Sequence, residues 1–336
     1  MQPTVTRIRV NAQLVDAESG AHLWAESFDE DCADLLQMED DIVTRLARTL
    51  HLKMIDVEAA EAGRMRPGNL GAQDLALQCH ARVIDNLADA GDPVKHPELF
   101  EFCEQALRLD PGNTLALSIL ADRLARSKVL GADVTTEVEP LDDLVRKALA
   151  VDPNDANARY AKGILLEAIH IHYGEAVVEF ERAIAMNPSN IGAYIRLGNI
   201  HYLTGQEEKA IAVLDKAMRL SPHDIGLPRM LLFKTNALEV LGRDAEASVL
   251  LNQALALIPN DRQILRVQAA TLANLGRNAE ARELNQRYAA LTGGQLATFA
   301  QYRAFLTTLT GANIPIMVAW REHLVAGLPK AGMPVE

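Results

Sequence analysis

The sequence predicts an all-α fold: a solenoid of about six helical hairpins, preceded by a small β-hairpin and one helix. Two observations carry this. One phrase is written five times, as QALRLDPGN (105–113), KALAVDPND (147–155), RAIAMNPSN (182–190), KAMRLSPHD (216–224) and QALALIPND (253–261). Its prolines, Pro111, Pro153, Pro188, Pro222 and Pro259, follow one another at gaps of 42, 35, 34 and 37 residues, a period that marks stacked supersecondary units. The second observation is composition. Hydrophobic residues make up 49% of the chain and aromatics only 4%, a mix that favours helices with closely approaching backbones over a β-rich core.

Residues 1–56 read as a partial α/β unit. Ile8, Val10, Ala12 and Leu14 alternate as in a strand, Glu18, Ser19 and Gly20 form a turn, and the stretch from Ala21 to Glu30 reads as the returning strand. Leu35, Met38, Ile42, Val43, Leu46 and Leu50 then make a helical stripe through 33–53, with the acidic residues before it opposing the helix dipole. Residues 57–71 are the linker. Two strands make a marginal sheet with open edges, so the hairpin is expected to pair with a second copy of the chain, giving a homodimer, or to complete a sheet on a partner, unless it is a frayed remnant.

Residues 72–295 hold the repeats, and the stretch 191–222 shows one unit best. Tyr194, Leu197, Ile200 and Leu203 make one helical face, Gly205 interrupts it, and Ala210, Val213, Leu214 and Ala217 resume it before Pro222 ends the second helix. Gly198, Ala210 and Ala217 stand where a larger side chain holds the two helices apart. One such pair cannot bury both of its apolar faces alone; stacked on neighbours it can. Residues 296–336 read as two helices around Pro315 and a tail, expected to cap the solenoid end.

These positions resemble the tetratricopeptide repeat (TPR) family. Leu197, Gly198, Ala210, Ala217 and Pro222 fall on its pattern, as do Gly163, Ala176, Phe180, Ala183 and Pro188 in the preceding unit and Gly242, Ala247, Ala254 and Pro259 in the following one. The unit ending at Pro111 has a degraded first helix, and the unit ending at Pro153 carries an insertion. The resemblance implies ligands in a concave groove formed by first helices. Counting along those helices turns Tyr160, Ile164, Ile195, Asn199, Tyr202, Asn236, Arg266 and Asn274 toward it. The Lys/Asn/Arg clamp by which some members hold a terminal carboxylate is not reproduced. The hairpin and the closing residues 324–336 are also similar to parts of bacterial class III adenylate cyclase-like proteins and winged-helix regulators that carry TPR arrays. The hairpin itself resembles the end of the N-terminal domain of the Tol–Pal propeller protein.

Chemistry is thinly represented. His170 and His172 stand two apart, a poor spacing for joint chelation on a helix, and the acidic run from Glu26 to Asp41 lacks the ligand spacing of a calcium loop. No nucleophile–base motif or phosphate loop is present. The formal charge of −12 argues against nucleic acid, and no apolar run reaches the ~18 residues that read as a membrane span. The N-terminus lacks the apolar region of a signal peptide. Cys32, Cys79 and Cys103 read as reduced thiols in a cytoplasmic protein. Cys79 and Cys103 fall on the two halves of the first unit and are read as buried small hydrophobes in preference to a close pair. The expectation is a non-catalytic scaffold without cofactor or metal, binding a peptide or helix of a protein partner. The alternative is a regulatory fragment serving a cyclase or a transcription regulator.

Overall fold

The structure is a computed structural model of the 336-residue chain. It describes residues 7–15, 22–31, 71–87, 96–129, 132–222, 224, 226–293, 298, 300–301 and 315–334. The helix expected at 33–53, most of the linker at 57–71 and most of the first C-terminal helix lie outside the described residues.

Near the N-terminus, β1 (Arg7–Val15) pairs antiparallel with β2 (His22–Asp31). The register sets Val10 opposite Phe28 and Leu14 opposite Trp24, and Arg9, Asn11 and Gln13 between them are exposed.

From residue 72 onward the chain is helical. The first helices of successive pairs are α1 (Ala72–Leu87), α3 (Thr114–Val129), α5 (Ala156–Ile164), α7 (Ile191–Leu203), α9 (Leu227–Val240) and α11 (Arg262–Asn274). Their partners are α2 (Glu101–Leu109, entered by a 3-10 turn at Pro97–Phe100), α4 (Thr135–Val151), α6 (Tyr173–Met186), α8 (Glu207–Leu220), α10 (Asp244–Leu257) and α12 (Asn278–Thr292). A last helix, α13, spans Pro315–Gly327.

The repeated phrase has a local mechanism. Its proline falls just after the second helix, and the residue two further on caps the next first helix. Asn113, Asp155, Asn190 and Asp261 each accept a hydrogen bond from the backbone N–H three residues ahead, at 2.8–3.1 Å. Four of the five phrases therefore end one hairpin and supply the N-terminal acceptor of the next; in the phrase at 216–224, Asp224 accepts from the Gly226 N–H instead, and α9 starts without a side-chain cap.

Within a pair, small residues set the spacing. A Cβ on Gly198 would lie 2.6 Å from Leu214, and one on Gly163 would lie 2.6 Å from the Phe180 ring. Ala176, Ala183, Ala210, Ala217, Ala247 and Ala254 are fully buried at the matching places on second helices. Gly242 does something different: at φ +71° it makes the turn between α9 and α10. Seven residues earlier, fully buried Thr235 takes the contact position that Gly198 holds before Gly205.

The third unit departs from the others. Here α5 runs into a π-helical turn, Leu165–His170, and Ile171 adopts the left-handed conformation at φ +59°. His170 and His172 flank this turn, and His170 Nε2 lies 2.7 Å from Asp142.

One expectation is overturned. Cys79 on α1 and Cys103 on α2 are joined by a disulfide, with Cα atoms 5.5 Å apart. They are not free thiols, so for this pair the argument from sparse cysteines to a reducing compartment does not hold. Sequence spacing could not show that antiparallel packing of α1 on α2 brings residues 24 apart into bonding distance.

Candidate functional site

The first helices turn toward one another across the inner side of the array. Arg196 on α7 donates to Asp122 on α3 at 2.6 Å and to Glu167, in the π turn after α5, at 3.1 Å. A whole unit separates α3 from α7, so they meet only on the side toward which the array curves. Asn199, one turn along α7, donates to the other Glu167 oxygen at 2.9 Å, and the Tyr160 hydroxyl of α5 donates to Asp122 at 3.0 Å. Burial pushes the Asp122 carboxyl up, but Arg196 and Arg126 outweigh it and hold the group below its ordinary value. Burial and the Asp122 charge together push the Tyr160 hydroxyl well up, so it stays a donor.

Two further cations border this network. Arg126 lies one turn beyond Asp122 on α3, and Arg229 lies in the first turn of α9; both are half-buried. Among the described residues neither guanidinium has an ion-pair or hydrogen-bond partner, and the Arg126 Nε is buried without one. Burial, with Arg126 and Arg196 nearby, brings Arg229 down to about 10.

Further along, the same face is covered from within. The helix α13 packs on α11, α9 and α7, all first helices. Trp320, Leu324, Val325, Leu328 and Met333 are buried in one apolar cluster with Tyr202, Leu231, Leu238, Ile264, Val267 and Ala270. The approach is close: a Cβ on Gly327 would lie 2.3 Å from the Ala270 carbonyl oxygen. Polar contacts fix the register. Trp320 Nε1 donates to Glu239 at 2.8 Å, Asn274 donates to the His323 carbonyl at 3.0 Å, and the His323 ring meets Asp244 at 2.9 Å. Beyond α13 the chain turns over the last pair, where Ala331 packs with Ala269, Leu272, Ala273 and Ala281.

The residues that sequence counting turned toward the groove divide in three. Tyr160 and Asn199 lie in the charged network, whereas Ile195 is a correction: it is buried in an apolar cluster with Leu214, Ala217 and Met230. Tyr202 and Asn274 lie under α13, and Asn236 on α9 is 6% exposed with its side-chain oxygen unpartnered. Ile164 and Arg266 are corrections, because neither presents a surface. Ile164 is fully buried in the core of the first three units. Arg266 is 1% exposed, stacked 3.5 Å over the Tyr288 ring and bonded to Asn285 at 2.6 Å. Counting missed Asp122, Arg126, Glu167, Arg196, Arg229 and Glu239. The legible signal was a charged residue on the apolar side of a first helix. A cavity of about 360 Å³ lined by Glu139, Pro140, Asp142, Asp143 and Arg146 sits against α4, away from these residues.

The tetratricopeptide repeat family model matches residues 172–232. A Rhizobium meliloti (strain 1021) protein provisionally named adenylate cyclase 3 is 29% identical over 163 residues, 48% of this chain and 27% of that protein. The peroxisomal targeting signal receptor of Pichia angusta is 35% identical over 66 residues, 20% of this chain and 12% of the receptor. The chain thus spans well under half of either relative. Among solved structures, a thermophilic TPR protein of Thermus thermophilus aligns at 20% identity and a TM-score of 0.45, over 60% of this chain and 99% of that one. YrrB, a TPR protein with an unusual peptide-binding site, aligns at 19% identity and a TM-score of 0.42, over 58% and 94%. The match to the tetratricopeptide repeat model thus takes in α6, α7, α8 and the start of α9.

Proposed function

We infer that this protein is a binding scaffold whose first-helix groove takes a helical or extended segment of a protein partner. One observation carries the reading: the groove already holds a helix. Seated on α7, α9 and α11, α13 buries a row of apolar side chains and makes polar contacts at its flanks. That is the anatomy of an amphipathic helix in a groove. The charged network and the apolar floor suit binding, and neither pairs a nucleophile with a base. The end-capping role expected for residues 296–336 fits the contacts of 315–334, since the turn beyond α13 covers the last helix pair.

The test uses a fluorescein-labelled peptide of residues 315–334. Gly327→Ala forces α13 off the Ala270 carbonyl and opens the groove, so the peptide binds this variant more tightly than the wild type. No saturable binding to either, with the variant still helical, removes the groove as a peptide site. A second reading, service to a cyclase or transcriptional regulator, has support from the 29% identity to the Rhizobium meliloti protein. Specific capture of a cyclase or a DNA-binding regulator by the Gly327→Ala protein distinguishes it.

A further inference from the structure

We propose that the groove under α13 selects a basic amphipathic helix: one with a lysine or arginine at the places of Trp320 and His323, three residues apart, and apolar residues four, five and eight places after the first. This rests on the reading of the groove as a peptide site and names the chemistry of the partner. The floor is apolar, and Leu324, Val325 and Leu328 of α13 are buried against it. Two acids interrupt it, Glu239 near the end of α9 and Asp244 at the start of α10. Glu239 is 2% exposed, and the Asp244 side chain 16%. Both face α13: Trp320 Nε1 donates to Glu239 at 2.8 Å, and the His323 ring meets Asp244 at 2.9 Å. Among the described residues neither acid forms an ion pair with a lysine or arginine. Lys234, Arg243 and Arg277, on the same helices or the turns that follow them, are paired instead with Asp215, Glu246 and Glu280.

The chain's own helix satisfies these acids incompletely. The Trp320 indole is a neutral donor, and the His323 imidazole carries charge only when protonated. A buried carboxylate without a cation is costly to ionise, and burial brings Glu239 up to about 7 against its bonds from Trp320 and Thr271. The titratable groups around it are Asp244 on α10, His323 beyond Asp244 on α13, and Tyr202 on α7, and the Asp244 charge raises Glu239 further. A lysine or arginine in place of either donor supplies a charge-assisted hydrogen bond, stronger than the neutral one it replaces. The long stem of an arginine covers part of the apolar area that Trp320 now fills. An acidic segment would meet both carboxylates and the chain's overall charge of −12. On this reading α13 is a placeholder that a better-matched helix displaces.

Fluorescence polarisation at pH 8 on the full-length Gly327→Ala chain tests this, with two labelled peptides of residues 315–334. One has the native sequence, and the other carries Trp320→Arg and His323→Lys. The substituted peptide is expected to bind about tenfold more tightly, the effect of a well-placed charge pair. Glu239→Gln with Asp244→Asn in the protein removes that advantage. If Glu239→Gln lowers the melting temperature, Asp244→Asn alone is tested with a peptide carrying only His323→Lys, and loss of that peptide's advantage supports the proposal. An advantage that survives the removal of both acids overturns it. So does a scrambled peptide with the same basic residues that binds as tightly as the substituted one, since the attraction is then to the acidic chain at large. If the native peptide binds and the substitutions bring no gain, the groove stands and the basic preference falls. If neither peptide binds saturably, both fall.

Discussion

Trp320 on α13 donates its indole N–H to Glu239 on α9 at 2.8 Å, across 81 residues of sequence. The other Glu239 oxygen accepts from Thr271 at 2.5 Å. The carboxyl is 2% exposed, and burial pushes it up to about 7 against these two hydrogen bonds, with the Asp244 charge adding to the rise. Beneath the docked helix, then, lies an acid that keeps its proton well above the ordinary carboxylate range.

The sign of the pH effect follows. A carboxyl raised in the folded state from 4.5 to about 7 contributes stability that is full below the lower value and lost as pH rises through the upper one. The docking of α13 is therefore expected to weaken between pH 5 and pH 8. In a Trp24→Phe background the remaining Trp320 reports on it: its emission shifts to the red across this window, and Glu239→Gln abolishes the shift. Asp122 and Glu179 are held below their ordinary values, so their contributions disappear only at lower pH. An identical titration in Glu239→Gln and the parent would remove Glu239 as the source.

Gly198→Leu is expected to lower stability by about 1–3 kcal/mol through overpacking, because its Cβ position already lies 2.6 Å from Leu214. Urea melts followed by circular dichroism measure it. An exposed first-helix site is not affected in this way, so a neutral result at residue 198 would mean that α7 and α8 pack more loosely than described.

Ile171 presents the opposite case. A β-branched residue at φ +59° carries backbone strain of about 1–2 kcal/mol, and this side chain is 38% exposed, so little packing is lost on its removal. Ile171→Gly is expected to raise the melting temperature, the reverse of the usual effect of adding glycine. A lower melting temperature would show that the isoleucine contributes more by contact than it costs in conformation.

The disulfide between Cys79 and Cys103 ties α1 to α2 in the first unit. Its loss in Cys79→Ala with Cys103→Ala is expected to cost about 2–4 kcal/mol. The loss should be local, since units in such arrays contact only their neighbours. Hydrogen exchange should therefore quicken in 72–109 and hold steady in 191–292. Uniform quickening across both would contradict local coupling.

The helical pairs were legible in the sequence because what specifies them is local. The small residues at Gly163, Gly198, Ala210 and Ala217, the helix-ending prolines and the Asx caps all act within one unit, and each recurrence repeats the same short-range instructions. The strand alternation of Ile8, Val10, Ala12 and Leu14 is local in the same way. The site was legible only in part. Asn199 and Tyr160 could be counted onto the inner face, yet their partners Glu167 and Asp122 could not, because each contact spans 32 or 38 residues and depends on the curvature of the stack. Tertiary structure alone decided three things: that α13 lies along α7, α9 and α11, that Cys79 meets Cys103, and that Arg196 meets Asp122 across 74 residues. An amphipathic helix carries the pattern of its own apolar side but no record of which groove receives it. The receiving surface exists only after several units have stacked, and its charges become neighbours only through the angle at which they stack.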